Sequence, residues 1–364
     1  LPQRGDWGGL YIGHLGGLSL DHTYLAYGGG NDVKIEGTFK GFNVIELHQA
    51  TARIANSVIE HNDAGVGGQG PAERFGRGAN AEATIFVRGS QPVIVNNIIR
   101  ENSDVAININ ADSFTQRLVS DPGRQSGPLE ATGKYADNYG PLVRENRLAD
   151  NAPLNALGQP FNPNSTHGTN GMEIRGNVTL STQSIWDDTD IVHFLYDEIR
   201  VGNFHTFGGL RLQSSPSESL VVKLYGPGNV GPAYQSNPTL GTGFTATGQR
   251  LEMEDRIGGS LYVVGQPGFP VILTSIHDDT IGAGVQPDGT PQTDSNNDVI
   301  ASVPAPGDWR SVRLDQFSHD RNVALVLEQE RTETNAPGTN ATIDSAQFLG
   351  NIASREQASA DNAP

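Results

Sequence analysis

The sequence predicts an all-β fold, a right-handed parallel β-helix in which short strands stack as the rungs of a single-stranded solenoid with long loop insertions. Three observations predict it: a small supply of apolar residues, a repeated strand pattern, and no long amphipathic helical pattern. Only 36% of the 364 residues are hydrophobic, while 45 are Gly and 21 are Pro, so a large globular core would be thinly supplied. A solenoid needs less, because each rung buries a few inward side chains against its neighbours.

A short repeat indicates the rungs. The segment ARIANSVIEHN (52–62) recurs as PVIVNNIIREN (92–102) and as PLVRENRLADN (141–151). Apolar and polar residues alternate within each copy, which is typical of a strand with one inward face. The first two copies are 40 residues apart (94 minus 54). We interpret this offset as two turns of a solenoid whose rung is roughly 20–25 residues long.

Asparagine recurs at fixed positions of this repeat. Asn56 matches Asn96, and Asn62 matches Asn102 and Asn151. Asn tolerates left-handed backbone, and stacked Asn amides can hydrogen-bond from one rung to the next. We therefore expect these residues to shape the corners of the scaffold rather than to bind a ligand.

Two further repeats and a set of strand-like runs extend the prediction along the chain. GDWGGL (5–10) recurs as GDWRSV (307–312), which indicates that one fold unit spans residues 1–350, and SIWDDT (184–189) recurs as SIHDDT (275–280). Runs rich in β-branched residues and bounded by Gly, Pro or Ser predict strands, and they lie at 171–180, 208–215, 219–226, 258–265 and 269–276.

The spacing between the strands varies, which predicts insertions that project as loops. The longest lie near 112–140, 227–256 and 278–306. The last residues, 351–364, are polar and lack periodicity, so we expect a linker or a terminal tail.

Together, the GDW motif, the I-x-N-x-x-I-x-x-N rungs and the S-I-x-D-D-T strand ends resemble the parallel β-helix repeat regions of very large secreted or surface proteins of bacteria. Those regions are similar in fold to pectate-lyase-like solenoids. The resemblance covers most of the chain and implies an extracellular or cell-surface location. It implies no particular activity, because such scaffolds serve as adhesins, matrix proteins and enzymes.

Charge and composition narrow the class of partner. With 41 acidic and 24 basic residues the formal net charge is -17, which disfavours nucleic acid and polyanionic glycans and favours divalent cations. The lack of Cys excludes disulfides and thiolate metal sites. No apolar run reaches the length of a transmembrane helix. The first residues lack a signal-peptide pattern and an initiator Met, so we expect a processed protein or a segment of a longer chain.

An acidic loop at 277–299 predicts a calcium site. Hard oxygen ligands in a Gly-rich loop suit Ca²⁺, although the pattern is not that of an EF-hand. The candidate ligands are Asp278, Asp279, Asp288, Asp294, Asn296, Asn297 and Asp298. The alternative is a solvated acidic loop.

A second acidic group consists of Asp187, Asp188 and Asp190 with His193. Paired carboxylates are the catalytic groups of glycoside hydrolases, which makes these residues catalytic candidates. The alternative is that they cap a turn at a strand end. Polysaccharide lyase chemistry would need a Lys or Arg base, and Lys occurs only four times.

The insertion at 112–140 combines cationic and aromatic side chains, and these suit contact with glycans. The candidates are Arg117, Arg124, Tyr135 and Tyr139. The alternative is a solvated loop.

These observations favour a structural or adhesive extracellular module that is supported by calcium. Its expected partners are other copies of itself, neighbouring domains of a longer chain, or surface glycans. The open edges of a β-helix favour self-association. The alternative is a carbohydrate-active enzyme, either a polysaccharide lyase or a glycoside hydrolase.

Overall fold

The regular structure is almost entirely β. The structure, a computed structural model, describes residues 1–34, 40–63, 65, 81–121, 123, 135–162, 165–203, 209–227, 241–248, 258–298 and 302–319. Among these residues no helix is long and apolar enough to cross a membrane. A 3-10 turn at Ala111–Ser113 follows one of the strands.

Twenty-five short strands follow one another along the described chain. The first nine are β1 (Leu10–Ile12), β2 (Gly17–Asp21), β3 (Tyr24–Ala26), β4 (Gly30–Lys34), β5 (Lys40–Phe42), β6 (Ile45–His48), β7 (Thr51–Ala55), β8 (Val58–Glu60) and β9 (Ile85–Arg88). The next eight are β10 (Val93–Val95), β11 (Ile98–Arg100), β12 (Ile107–Asn110), β13 (Leu142–Arg144), β14 (Arg147–Ala149), β15 (Met172–Arg175), β16 (Val178–Leu180) and β17 (Ser184–Trp186). The last eight are β18 (His193–Leu195), β19 (Glu198–Val201), β20 (Leu210–Gln213), β21 (Leu220–Leu224), β22 (Gly243–Ala246), β23 (Leu261–Val264), β24 (Val271–Ser275) and β25 (Ser311–Leu314).

The strands form five parallel sheets and one antiparallel pair, β4 with β5. One sheet has eight strands in the order β1-β6-β9-β12-β15-β18-β21-β24, so the chain passes through it eight times. In the first half, each return is followed by one strand in the sheet β13-β10-β7-β2 and one in the sheet β14-β11-β8-β3. In the second half, the sheets β16-β19-β22-β25 and β17-β20-β23 take their place. We call each such passage through the sheets a rung.

The core consists of apolar columns in which each rung places one side chain on the next. Ile94 pairs with Ile54 on one side and with Val143 on the other. Ile99 pairs in the same way with Ile59 and Leu148. All three members of the first column are fully buried, and parallel in-register stacking brings equivalent side chains together. The register predicted for the three repeat copies is therefore confirmed.

The outer surface of the eight-stranded sheet is also covered. Phe86, Phe194 and Lys223 alternate with the inward residues of their strands, and all three are fully buried. A second apolar cluster forms there, in which Ile281 packs beside Phe194. Polypeptide segments between the strands, including the loop after β24, therefore pack against this surface.

The structure bears out the coarse prediction of a nearly all-β chain with parallel strands, and it corrects the spacing. Strand β7 pairs directly with β10, so the 40-residue offset spans one turn and not two. The reason is the long segment between β8 and β9, which lengthens that turn. The predicted insertion at 227–256 is interrupted by β22, and the predicted tail at 351–364 lies outside the described residues.

The two copies of the GDW repeat lead into strands of different sheets. GDWGGL leads into β1 of the eight-stranded sheet, whereas GDWRSV leads into β25 of a different sheet. In both copies the Gly has a positive φ and the Trp packs partly on the core. The motif therefore recurs as a local turn before a strand and does not mark equivalent positions of a rung.

Candidate functional site

The acidic segment after β17 lies along the open edge of β13. The backbone N–H of Val143 donates to Asp188 Oδ1 at 2.8 Å, and that of Glu145 donates to Asp190 Oδ2 at 2.5 Å. Alternate N–H groups of a strand edge point the same way, so carboxylates two residues apart can satisfy them. In Asp188-Thr189-Asp190 the side chains thus replace the backbone acceptors of a further strand.

A groove of about 580 Å³ opens beside this edge. Five parts of the chain contribute to it: the end of the insertion before β13, the end of β13, the segment after β17, the end of β20 with the segment after it, and the turn after β23. The lining residues are Tyr135, Asp137, Asn138, Arg144, Glu145, Asp187, Asp190, residues 213–218 and Gln266.

Arg144 holds the wall of the groove together. Its Nη1 donates to the backbone O of Asp187 at 3.2 Å and to Thr189 Oγ1 at 2.6 Å. Its Nη2 donates to Glu218 Oε2 at 2.6 Å, and its Nε lies 3.4 Å from Asp190 Oδ1. Because the guanidinium is largely buried, these contacts compensate for its lost hydration.

Two carboxyl groups of the groove titrate far from their ordinary range. Burial raises the pKa of Asp187 to about 7, against the opposing effect of the Tyr139 N–H and Arg144. Burial also raises the pKa of Asp190 to about 6, although Arg144 and the Glu145 N–H lower it. Both carboxyls can therefore bind or release a proton near neutral pH, as groups in functional sites often do.

The other two catalytic candidates lie in the interior. Asp188 is fully buried, and burial together with Asp187 keeps its pKa well above the ordinary value. His193 occupies an inward column between Met172 and Val222. Its ring stacks on Trp186 with centroids 5.9 Å apart, and burial lowers its pKa to about 4. Of the four candidates, Asp187 and Asp190 are the two that line the groove.

Of the predicted glycan contacts, too, some lie at the groove and others do not. Tyr135 lines the groove, and the Arg144 guanidinium carbon lies 5.1 Å from the centre of its ring. Tyr139 takes part through its backbone, because its N–H donates to both Asp187 oxygens at 3.0 and 3.3 Å. Arg117 is exposed and does not line the groove. Arg124 lies outside the described residues.

The predicted calcium ligands lie in the loop that packs on the outer surface of the eight-stranded sheet. Asp294 Oδ1 accepts from the Asn297 N–H at 2.7 Å, and Asp298 Oδ2 accepts from Asn296 Nδ2 at 3.1 Å. Asp288 closes a separate exposed turn by accepting from Thr290. Among the described residues, no three His, Asp or Glu side chains converge as a metal site.

A buried lysine supplies positive charge to this loop. Lys223, in β21, is fully buried and its Nζ donates to the backbone O of Thr293 at 3.1 Å. Burial lowers its pKa to about 8, while four surrounding carboxylates act in the opposite direction. These are Asp279, Asp278, Asp294 and Asp298. Four of the predicted calcium ligands are thus grouped near an ammonium.

Arg144 and Glu218 are parts of the groove that the sequence did not reveal. Arg144 falls in the third repeat copy, where its strand position carries Ala55 in one copy and Val95 in another. A charged residue at a position that is apolar in the other two copies is a signal by which Arg144 could have been found. Glu218 follows an ordinary Ser-rich turn and carries no such signal.

In comparisons with protein-family models, curated proteins and solved structures, nothing matches this chain.

Proposed function

We propose that the chain is a right-handed parallel β-helix that serves as a structural and adhesive module of an extracellular or cell-surface protein, with glycans as its ligands. The observation that carries the proposal is the groove, because it combines an aromatic ring with several hydrogen-bonding side chains on the side of a stacked scaffold. Sites on rigid elements hold their ligand-binding groups in fixed positions. A long stack of rungs also separates the two ends of a module, which suits a spacer.

The adhesive function is tested by binding of the purified chain to a panel of immobilised polysaccharides. We expect retention on at least one polysaccharide and its loss in Tyr135→Ala, because the ring contributes contact area in the groove. Tyr24→Ala is the matched control, since Tyr24 is an exposed ring of β3 outside the groove. Equal loss in both variants, or no retention of the wild type, would exclude the groove as an adhesive site.

Self-association is part of the proposal because strands β1, β2 and β3 each end their sheet. Edge strands offer unpaired backbone groups to another chain. We expect the sedimentation coefficient to rise with protein concentration. A chain that stays monomeric at high concentration, with and without calcium, would exclude stacking of copies.

We also propose that calcium binds and stabilises the 278–298 loop, because this loop contains buried oxygen acceptors. Asp279 Oδ1 and Asn296 Oδ1 are buried without a hydrogen-bond partner among the described groups, and oxygen acceptors of this kind suit Ca²⁺. A ligand that binds only the folded state raises the midpoint of thermal unfolding. We expect a higher midpoint with calcium than with chelator, and an equal midpoint would remove calcium from the proposal.

A carbohydrate-active enzyme is the second candidate, and the buried carboxyl of Asp187 favours it. A carboxyl whose pKa is about 7 can act as a general acid near neutral pH. The measurement is the release of new reducing ends and of unsaturated uronates from polysaccharides, which separates hydrolase from lyase. Asp187→Asn should abolish hydrolysis, whereas Asp150→Asn, at an exposed corner outside the groove, should leave it unchanged.

A further inference from the structure

The described lining of the groove carries more acidic than basic side chains. Among the residues that the structure describes there, five are carboxylic acids and one, Arg144, is cationic. The acids are Asp137, Glu145, Asp187, Asp190 and Glu218. A concave site with one sign of charge raises the local concentration of ligands of the opposite sign. A uronate or a sulfated sugar would therefore be repelled.

The guanidinium of Arg144 neutralises part of this charge, but its Nη1 and Nη2 donors are used within the wall of the groove. Its Nη1 and Nη2 donate to the backbone of Asp187, to Thr189 and to Glu218, so its donors are directed into the wall. An anionic ligand would have to break these contacts in a largely buried position, which is costly.

Asp190 supplies a buried acceptor at the groove. Its Oδ2 accepts from the Glu145 N–H, but its Oδ1 is buried and has no hydrogen-bond partner among the residues that the structure describes. It forms an ion pair with Arg144 Nε at 3.4 Å. Buried acceptors in native proteins are nearly always satisfied, so a ligand donor that displaces part of the groove wall beside Asp190 would complete its hydrogen bonding.

The neutral part of the lining suits a sugar more than a simple polyamine. Gln213, Ser215, Ser217 and Gln266 offer amides and hydroxyls, which pair with the hydroxyl groups of a sugar ring. Tyr135 adds an aromatic ring. The volume of about 580 Å³ lies within the roughly 300–1,000 Å³ of small-ligand sites.

We propose that this groove binds an amino-sugar oligosaccharide of the glucosamine type, with a protonated amine of the sugar against the carboxylates of Asp187 and Asp190. The inference rests on the proposed adhesive function and specifies its ligand class. The remaining sugar hydroxyls pair with the amide and hydroxyl side chains of the lining.

The test is calorimetric titration of the full chain with ligands of equal length and different charge. Glucosamine oligomers carry amines, their N-acetylated counterparts are neutral, and oligogalacturonates are anionic. We expect the glucosamine oligomer to bind about tenfold or more tightly than the N-acetylated one, and the oligogalacturonate not to bind. We also expect affinity to rise as Asp190 and Asp187 ionise above about pH 5, as long as the sugar amine stays protonated, whereas a site that donates a proton to a neutral sugar would lose affinity.

Variants assign the binding to the groove. Asp187→Asn should weaken binding of the glucosamine oligomer about tenfold. Asp137→Asn, a change at an exposed groove residue, should weaken it in the same direction with little risk to folding. Asp150→Asn removes one negative charge outside the groove at a corner where φ is 52°, a conformation that Asn tolerates, and should bind like the wild type.

The outcomes separate the inference from the function on which it rests. Equal or tighter binding of the N-acetylated oligomer in the groove would overturn the amino-sugar inference and leave glycan adhesion intact. Equal binding of spermidine and the glucosamine oligomer would show recognition of charge alone and would also overturn it. Failure of every saccharide to bind would overturn both.

Discussion

Four asparagine side chains, Asn62, Asn102, Asn151 and Asn170, form a hydrogen-bonded ladder inside one corner of the stack. Each Nδ2 of the first three donates to the Oδ1 of the next residue, at 2.9 to 3.0 Å. All four are buried. A parallel ladder of amides satisfies the backbone groups that a sharp corner leaves without a sheet partner, so the corner can be buried without orphaned polar groups.

We predict that Asn102→Ala lowers the free energy of unfolding by about 3 kcal/mol, because it leaves several buried polar groups without a hydrogen-bond partner. The Asn102 amide donates to the Ile59 carbonyl at 3.0 Å and accepts from the Asn62 N–H at 3.1 Å. Urea unfolding measures the change. Asn96→Gly is the control: Asn96 is exposed with φ of 54°, and Gly fits there. A similar loss in both variants would contradict the ladder as the cause.

The carboxyls of Asp187 and Asp190 predict how stability depends on pH. Their pKa values rise from 3.8 to about 7 and about 6 on folding, so between these limits the folded state binds more protons than the unfolded state. Stability contributed by these groups is therefore lost as pH rises from about 4 to about 7. Asp187→Asn should reduce the total loss of stability across this pH range by on the order of 3 kcal/mol. Unfolding midpoints measured across that range would disprove the linkage if the slopes of variant and wild type agree.

At the scale of elements, the loop after β24 is attached to the sheet by a buried lysine as well as by apolar contacts. Lys223 reaches the Thr293 carbonyl from β21, and Ile281 packs against the apolar cluster of the outer sheet surface. Burial raises the pKa of Asp279 and of Asp294, and neighbouring carboxylates act in the same direction. The ammonium therefore limits the repulsion within this loop.

We predict that Lys223→Met increases protease cleavage within residues 278–298 at neutral pH, because the carboxylates lose the nearby ammonium. Acidification to about pH 4.5 should restore protection, since protonation removes the repulsion. Limited proteolysis followed by mass spectrometry gives the measurement. Leu224→Met, a volume-conserving change at the next residue, is the control and should be cleaved like the wild type. If Lys223→Met is cleaved like the wild type, the ammonium does not contribute to the attachment of the loop.

At the scale of the whole molecule, the sequence predicts the features that recur in several rungs and misses the features that occur at one place only. The columns through Ile54 and Ile59 were predictable, because strand alternation and the matching Asn positions fix the register of consecutive rungs. The turn count was wrong, because nothing in an offset of 40 residues distinguishes two short turns from one turn with a long loop. The change of sheets after β14 also left no periodic signal.

The groove was predicted only in fragments for a related reason. Asp187 and Asp190 were candidates for a catalytic site, and Tyr135 was a candidate for a separate glycan contact. Their meeting depends on Arg144 and on the segment carrying Glu218, which the stacking of rungs brings together from distant parts of the sequence. Contacts between rungs are set by loop lengths and not by local patterns, so a composite site of this kind becomes visible only in three dimensions.

A stack of rungs also predicts how stability is distributed along the chain. Each rung contacts its neighbours only, so the first rung has a partner on one side and the central rungs have two. Strands β2 and β3 are half-buried or exposed, whereas the apolar residues of β9 are fully buried. Amide hydrogen exchange should therefore be fastest in β1 to β3 and slowest in β9 to β12, because local opening needs less free energy at an end. Ile94→Ala, in the central column, should accelerate exchange in β7, β10 and β13 before it affects β24. Uniform exchange along the chain would show that the rungs open as one unit and would contradict the nearest-neighbour description.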